Sequence, residues 1–299
     1  MSTIEHVLND TLGCLSLVGT FSVVFYGCTC GQVMYYIRNY YVKEELNKHV
    51  SIMVALLWIL DTGKTAVDLV CGWEVIVLHH GNPLPLLGRV PSIVPAEFGA
   101  SCCTVYIVQC CYLHTIWKFV KQSRRNQNWL LFMLIPFVMA TATFVTGIIA
   151  TIQVQTAQNI FETLPSSHIC GTIRPACAAV FDIYITVWLC YHLQDSKTGI
   201  VQSRTDYIVT KLINYSITRG IVTSVVQIVG LVLFVIDYRN NTLWFMLFYI
   251  PASTVYVNSL LAMWNARNHL KMNEGPVSSP SMLGTWRVAS QLELPPEPC

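Results

Sequence analysis

The sequence predicts an all-α integral membrane protein, a bundle of seven transmembrane helices, and three observations carry that reading. Of the 299 residues, 54% are hydrophobic and only 11% are charged, whereas soluble domains carry about 25% charged residues. Mean hydropathy is +0.50. The apolar residues also gather into seven runs, each close to the roughly 20 residues that a helix needs to cross a bilayer. A soluble chain of this length needs more polar surface than these charges supply.

The leading segment, residues 1–11, holds Glu5 and Asp10 and no Lys or Arg. It lacks the basic start of a secretory signal peptide, so the first apolar run is expected to be retained as a span. Spans are expected at about 12–37, 50–78, 97–120, 129–152, 173–193, 211–236 and 243–264, within one membrane domain of about 12–270. Gly81-Asn82-Pro83-Leu84-Pro85 with Pro91 and Pro95 marks one loop, and Leu164-Pro165-Ser166-Ser167 another. Only Asp237-Tyr238-Arg239-Asn240-Asn241-Thr242 separates the last two runs, so a short turn or one long buried hairpin fits there. Pro251 is expected to kink the seventh helix and free a carbonyl near its middle. From 271 to 299 the composition turns to Pro, Ser and Glu. Such a tail buries too little apolar area to offset the entropy of ordering, and disorder is expected.

Lys and Arg placement predicts the orientation. With the N-terminus outside and the C-terminus cytoplasmic, thirteen of the eighteen Lys and Arg residues face the cytoplasm. Three, Arg89, Arg174 and Arg239, fall on the outer side, while Lys64 and Arg219 lie within spans. The plasma membrane is the expected location. Tyr35, Tyr36, Trp73, Trp117, Tyr238 and Trp244 fall near span ends, where amphipathic rings prefer the headgroup layer. Trp58 and Trp188 lie deeper and are expected to pack inside the bundle.

Asp61, Lys64 and Asp68 interrupt the second run. Each charge near the bilayer centre costs about 3 kcal/mol on insertion scales, so they must be paired, turned inward or wet. Their spacing, i, i+3 and i+7, puts all three on one helical face, with Lys64 in reach of both acids. The trio keeps a net negative charge, and Arg219 in the sixth run matches it in depth. Two roles fit: a structural clamp, which is favoured, and a ligand, ion or proton site. Gln109, Gln227 and Asn258, large amides in apolar runs, need partners and form a second tier of candidates. The many Ser and Thr of the last two runs suit close helix packing. Among twelve cysteines, a bridge from Cys170 to Cys102 or Cys103 is considered on the oxidising side. Cys14, Cys28, Cys30, Cys71, Cys110, Cys111 and Cys190 lie in apolar runs and read as small buried hydrophobes. No metal or cofactor is expected.

Several stretches resemble a family of seven-pass membrane proteins of mushroom-type fungi. These include Leu17-Val18-Gly19-Thr20-Phe21-Ser22 in the first run, Leu56-Leu57-Trp58-Ile59-Leu60-Asp61-Thr62 in the second, and Glu97, Ile107-Val108-Gln109-Cys110 and Ile116-Trp117-Lys118 in the third. The most specific are Tyr215-Ser216-Ile217-Thr218-Arg219-Gly220, Tyr256-Val257-Asn258-Ser259 and Asn265-Ala266-Arg267. The resemblance covers about 12–270. It implies the seven-helix fold and a membrane location, with residues 211–270 matching a domain of unknown function. It implies no activity. Members often have His where this chain has Lys64.

The motifs also exclude. The seventh run has no Lys for a retinal Schiff base, and it has Tyr256-Val257-Asn258-Ser259 where many G-protein-coupled receptors have Asn-Pro-x-x-Tyr. The chain has no phosphate-binding loop, no His-Glu-x-x-His and no Gly-x-Ser-x-Gly. No basic, aromatic-laced stripe suits nucleic acid. The reading is a receptor-like sensor of a small ligand that works with the lipid bilayer and a cytoplasmic signalling partner, and not an enzyme. The alternative is a transporter or channel built on the charge cluster.

Overall fold

The computed structural model describes residues 13–41, 48–78, 93–122, 129–157, 165–195, 204–240 and 242–272. The leading segment, the proline-rich loop at 79–92 and the tail lie outside the described residues. The described residues are helical nearly throughout and form seven long helices. These are α1 (Cys14–Tyr36), α2 (Lys48–Trp73), α3 (Ile93–Gln122) and α4 (Trp129–Thr156). They are followed by α5 (His168–Asp195), α6 (Arg204–Asn240) and α7 (Met246–Met272). A π-helical turn extends α1 over Ile37–Tyr41 and another extends α2 over Glu74–Leu78. All seven helices are long and apolar enough to span a membrane. The chain is therefore a multi-pass membrane protein.

Side-chain contacts give the register. Tyr36 meets Ser51 at one end of the α1–α2 pair, and Ser22 meets Asp68 at the other, so these helices run antiparallel. The carboxamides of Asn258 and Asn265 on α7 donate to the carbonyls of Phe25 and Gln32 on α1, at 2.9 and 3.1 Å. The equal offset makes α1 and α7 parallel. The helices alternate, so the starts of α1, α3, α5 and α7 share one end of the bundle, called here the near end. Each helix packs on its neighbours in sequence, and α7 also packs on α1, α3 and, more lightly, α2. It is the most enclosed span, with 61% of its apolar window buried, against 22% for α1.

The faces are inverted relative to a soluble bundle. On α2, Ile52 and Ile59 are 62% and 63% exposed, while Asp61 and Lys64 are 0% and 1%. Lipid is as apolar as a leucine side chain, so apolar residues gain little by turning inward, and polar and small ones select the packed face. Trp58, expected inside, is 40% exposed on the outer surface, while Trp188 packs partly buried against the core. Glycine permits the closest approach. A Cβ on Gly220 of α6 would sit 1.9 Å from the Thr186 hydroxyl of α5, and one on Gly171 of α5 would sit 2.4 Å from the Phe234 ring of α6.

Between α6 and α7 the chain makes a short turn rather than one continuous hairpin. The buried Asp237 carboxylate accepts from the Phe245 backbone N–H at 2.6 Å and from the Thr242 hydroxyl. One acid thus satisfies donors that the turn would otherwise leave bare. α7 runs unbroken through Pro251, whose ring nitrogen cannot bond the Leu247 carbonyl.

Gly220→Ala should lower stability by about 2 kcal/mol, because α5 and α6 must separate to admit the methyl. Gly19→Ala, with open space around its Cβ, should be neutral or slightly stabilising. Thermal unfolding of the two variants in the same detergent checks the contrast.

Candidate functional site

Two buried acids organise the interior, and each ties three helices together. Asp61, midway along α2, accepts from Thr29 of α1 at 2.8 Å and from Thr254 of α7 at 2.7 Å. Asp182, on α5, accepts from Arg219 of α6 at 3.0 Å and from the Tyr256 hydroxyl of α7. Both acids are 0% exposed. The Arg219 guanidinium also lies 3.4 Å above the centre of the Tyr112 ring on α3, and the Tyr112 hydroxyl meets Ser259 of α7. Cation–π contact adds to an ion pair most where both partners are desolvated.

This corrects the assignment of Arg219 as counter-charge to the Asp61 trio. Depth along the membrane matched, but α6 packs on α5 and α7, and α7 stands between α6 and α2. The trio itself is split. Lys64 binds Asp68 at 2.9 Å and lies 3.8 Å from Glu97 on α3, and no ion pair to Asp61 forms. Asp68 also accepts from Ser22, and Glu97 from Ser101 at 2.7 Å. Ser101 in turn faces Ser253 of α7. A polar seam therefore crosses the near half of the bundle from α1 through α2 and α3 to α7. The second Glu97 oxygen is buried without a hydrogen-bond partner.

The second-tier amides divide. Asn258 is a packing clamp through its bond to the Phe25 carbonyl, although its own oxygen stays unpartnered. Gln109 is 0% exposed and neither end of its amide has a partner. The outer bridge considered from the sequence is not formed: Cys102, Cys103 and Cys170 are all free thiols. Cys102 lies more than two turns inside α3 against Gly147, whereas Cys170 belongs to the first turn of α5. That difference in depth, about 10 Å at the helical rise, exceeds the Cα separation of a disulfide.

In the near half, α3, α4, α5, α6 and α7 enclose a cavity of about 60 Å³. Phe98, Ala150, Val154, Phe234 and Phe245 give it apolar walls, and Ser167, Arg174, Gln227 and Tyr249 its polar groups. The charge pattern places Arg174 on the outer side, at the very start of the expected fifth span. α5 begins earlier than the expected span and carries it into the bundle instead, with its guanidinium 4.5 Å above the Tyr249 ring. The cavity stands directly over the Asp182 lock. Arg174, Gln227 and Tyr249 lie two turns nearer the near end than Asp182, Arg219 and Tyr256, on the same three helices. Phe181, Thr223 and Tyr256 close the layer beneath, each at most 1% exposed. No His, Cys, Asp and Glu group capable of holding a metal occurs among the described residues.

Residues 178–269 match a family of unknown function, DUF6534. The matched segment runs from the middle of α5 to the end of α7, so it contains Asp182, Arg219 and Tyr256 entire, and the cavity wall from α6 and α7. Asp61, Lys64, Asp68, Glu97 and Arg174 lie outside it. No curated protein and no solved structure matches the chain.

Sequence reasoning missed Asp182, although the rule that singles out Asp61 applies to it equally: it is an acid in an apolar run. Thr29, Thr254, Tyr112 and Tyr256 carried no such signal, because hydroxyls are common packing groups in membrane helices.

Asp182→Asn and Arg219→Gln should each cost about 3–5 kcal/mol, since each strands a buried partner, while the double variant should cost less than their sum. Unfolding temperatures of the three proteins in one detergent test the coupling; strict additivity would refute it.

Proposed function

We propose that this protein is a receptor-like seven-helix sensor, of the fungal type that its sequence resembles, with the near end outside the cell and the C-terminus cytoplasmic. The observation that carries the reading is a cavity confined to one half of the bundle, seated on a closed polar lock shared by the same helices. A ligand that draws Arg174 or Tyr249 inward acts on α5 and α7, and the Asp182–Arg219–Tyr256 contacts must follow or break. α6 is 37 residues long, about 55 Å at the helical rise, so its first turns extend beyond the bilayer at the far end. That end is where a cytoplasmic partner would read the change. The role is one of binding and coupling rather than catalysis, at the plasma membrane.

A second reading has one observation behind it. Asp61, Lys64, Asp68 and Glu97 bring four ionisable groups close together inside the bundle, and one Glu97 oxygen is unsatisfied. Such a seam could relay protons or hold a cation for transport.

The full-length protein in lipid nanodiscs, screened for small molecules that raise its unfolding temperature, separates the two. A sensor ligand should stabilise in proportion to its occupancy and should also change hydrogen exchange in the far-end turns of α6. The sensor reading fails if reconstituted vesicles instead show ligand-independent proton or ion flux that Asp61→Asn or Glu97→Gln abolishes.

A further inference from the structure

The residues lining the cavity include one charged side chain and no acid: Arg174. Among the described residues it makes no ion pair and no hydrogen bond, and its guanidinium rests on the face of Tyr249. Glu97 acts on it through space but forms no bond with it, and the other oxygen of that acid is held by Ser101 near Lys64. An unpaired guanidinium inside a membrane domain is costly, and anions recover that cost best when they match its planar fork. Asp182, two turns along the same helix, shows how this bundle treats its buried arginine, Arg219: with a carboxylate. Around Arg174 the remaining polar groups, Ser167, Gln227 and Tyr249, can all donate hydrogen bonds, which suits acceptor oxygens.

The rest of the wall is apolar, with Gly171 and Gly230 presenting no side chain to it. The volume, about 60 Å³, is below the roughly 150 Å³ cavity that admits benzene. We propose that the cavity binds a compact organic carboxylate, of the order of acetate to butyrate, with its oxygens on Arg174 and its carbon chain against Phe98, Phe234 and Phe245. This rests on the reading of the cavity as the sensor's binding site and names the ligand class that it takes.

The test titrates acetate, propionate, butyrate and hexanoate, and the amide of each, into the full-length protein in nanodiscs by calorimetry. The carboxylates should bind about tenfold or more tighter than their amides, with hexanoate weaker than butyrate because the cavity is small. Arg174→Gln should remove the preference for the charged form, and Arg174→Lys should keep part of it. Ala150→Phe, which fills the apolar wall and leaves Arg174 in place, should abolish binding by both series. Glu97→Gln should bind carboxylates at least as well as the native chain; binding that appears only in this variant would make Glu97 the resident counter-ion and overturn the inference. Equal affinity for acid and amide, or carboxylate binding unchanged in Arg174→Gln, would overturn it too. A neutral molecule that binds without Arg174 and alters far-end exchange overturns the ligand class and leaves the sensor standing. Carboxylate binding that needs Arg174 without altering that exchange upholds the ligand class and removes the sensor.

Discussion

Two carboxylates, Asp61 and Asp182, hold this bundle to one arrangement, and both do so through α7. A membrane interior offers no water to a bare acid, so each must collect donors from whatever helices stand beside it. Asp61 collects Thr29 and Thr254, and Asp182 collects Arg219 and Tyr256. Thr254 and Tyr256 stand on either side of Val255, so α7 is gripped from two directions at one level. Shifting α7 by a turn would strand both acids at once. Helix packing in lipid lacks the hydrophobic drive of water, and these bonds supply the register that apolar contacts alone would leave loose.

The same constraint explains how the near half differs from the middle. At mid-membrane every acid described has its full set of partners. Toward the near end two charged groups are matched differently: Glu97 keeps a free oxygen, and Arg174 has an aromatic face in place of an anion. A charge held in this way is unfavourable for stability, and Arg174 stands in the wall of the cavity. The three helices that bound it also carry the Asp182 lock, so a change above has a short route to the layer beneath. That route is two turns of helix, and both ends are built from side chains that form discrete bonds.

Glycine sets how close the active helices stand. Gly171 and Gly220 let α5 and α6 meet at contacts that any larger residue would block, and Gly147 admits the Cys102 thiol beside Arg174. Asp237 completes the frame by capping the turn into α7. The cavity is thus framed by rigid, closely packed helices rather than by loops.

Much of this fold was legible in the chain itself. Seven apolar runs of membrane-spanning length become seven helices because a bilayer leaves the backbone no other way to satisfy its own polar groups within one segment. The inward face of α2 was legible as well, since Asp61 and Lys64 share one side of a helix and cannot face lipid. What could not be read was azimuth. Helical rise gives the depth of Arg219 but not which neighbour it faces, and only the packing of α6 on α5 decides that its partner is Asp182. For the same reason Arg174, which the sequence places among the outer-side charges, becomes a cavity residue once α5 begins at His168. Trp58 turns outward because lipid and protein are nearly equal hosts for an indole. Sequence determined the elements and their depth, since these depend on one helix and the membrane. Tertiary structure decided the pairings, since these depend on the rotation of several helices about one another.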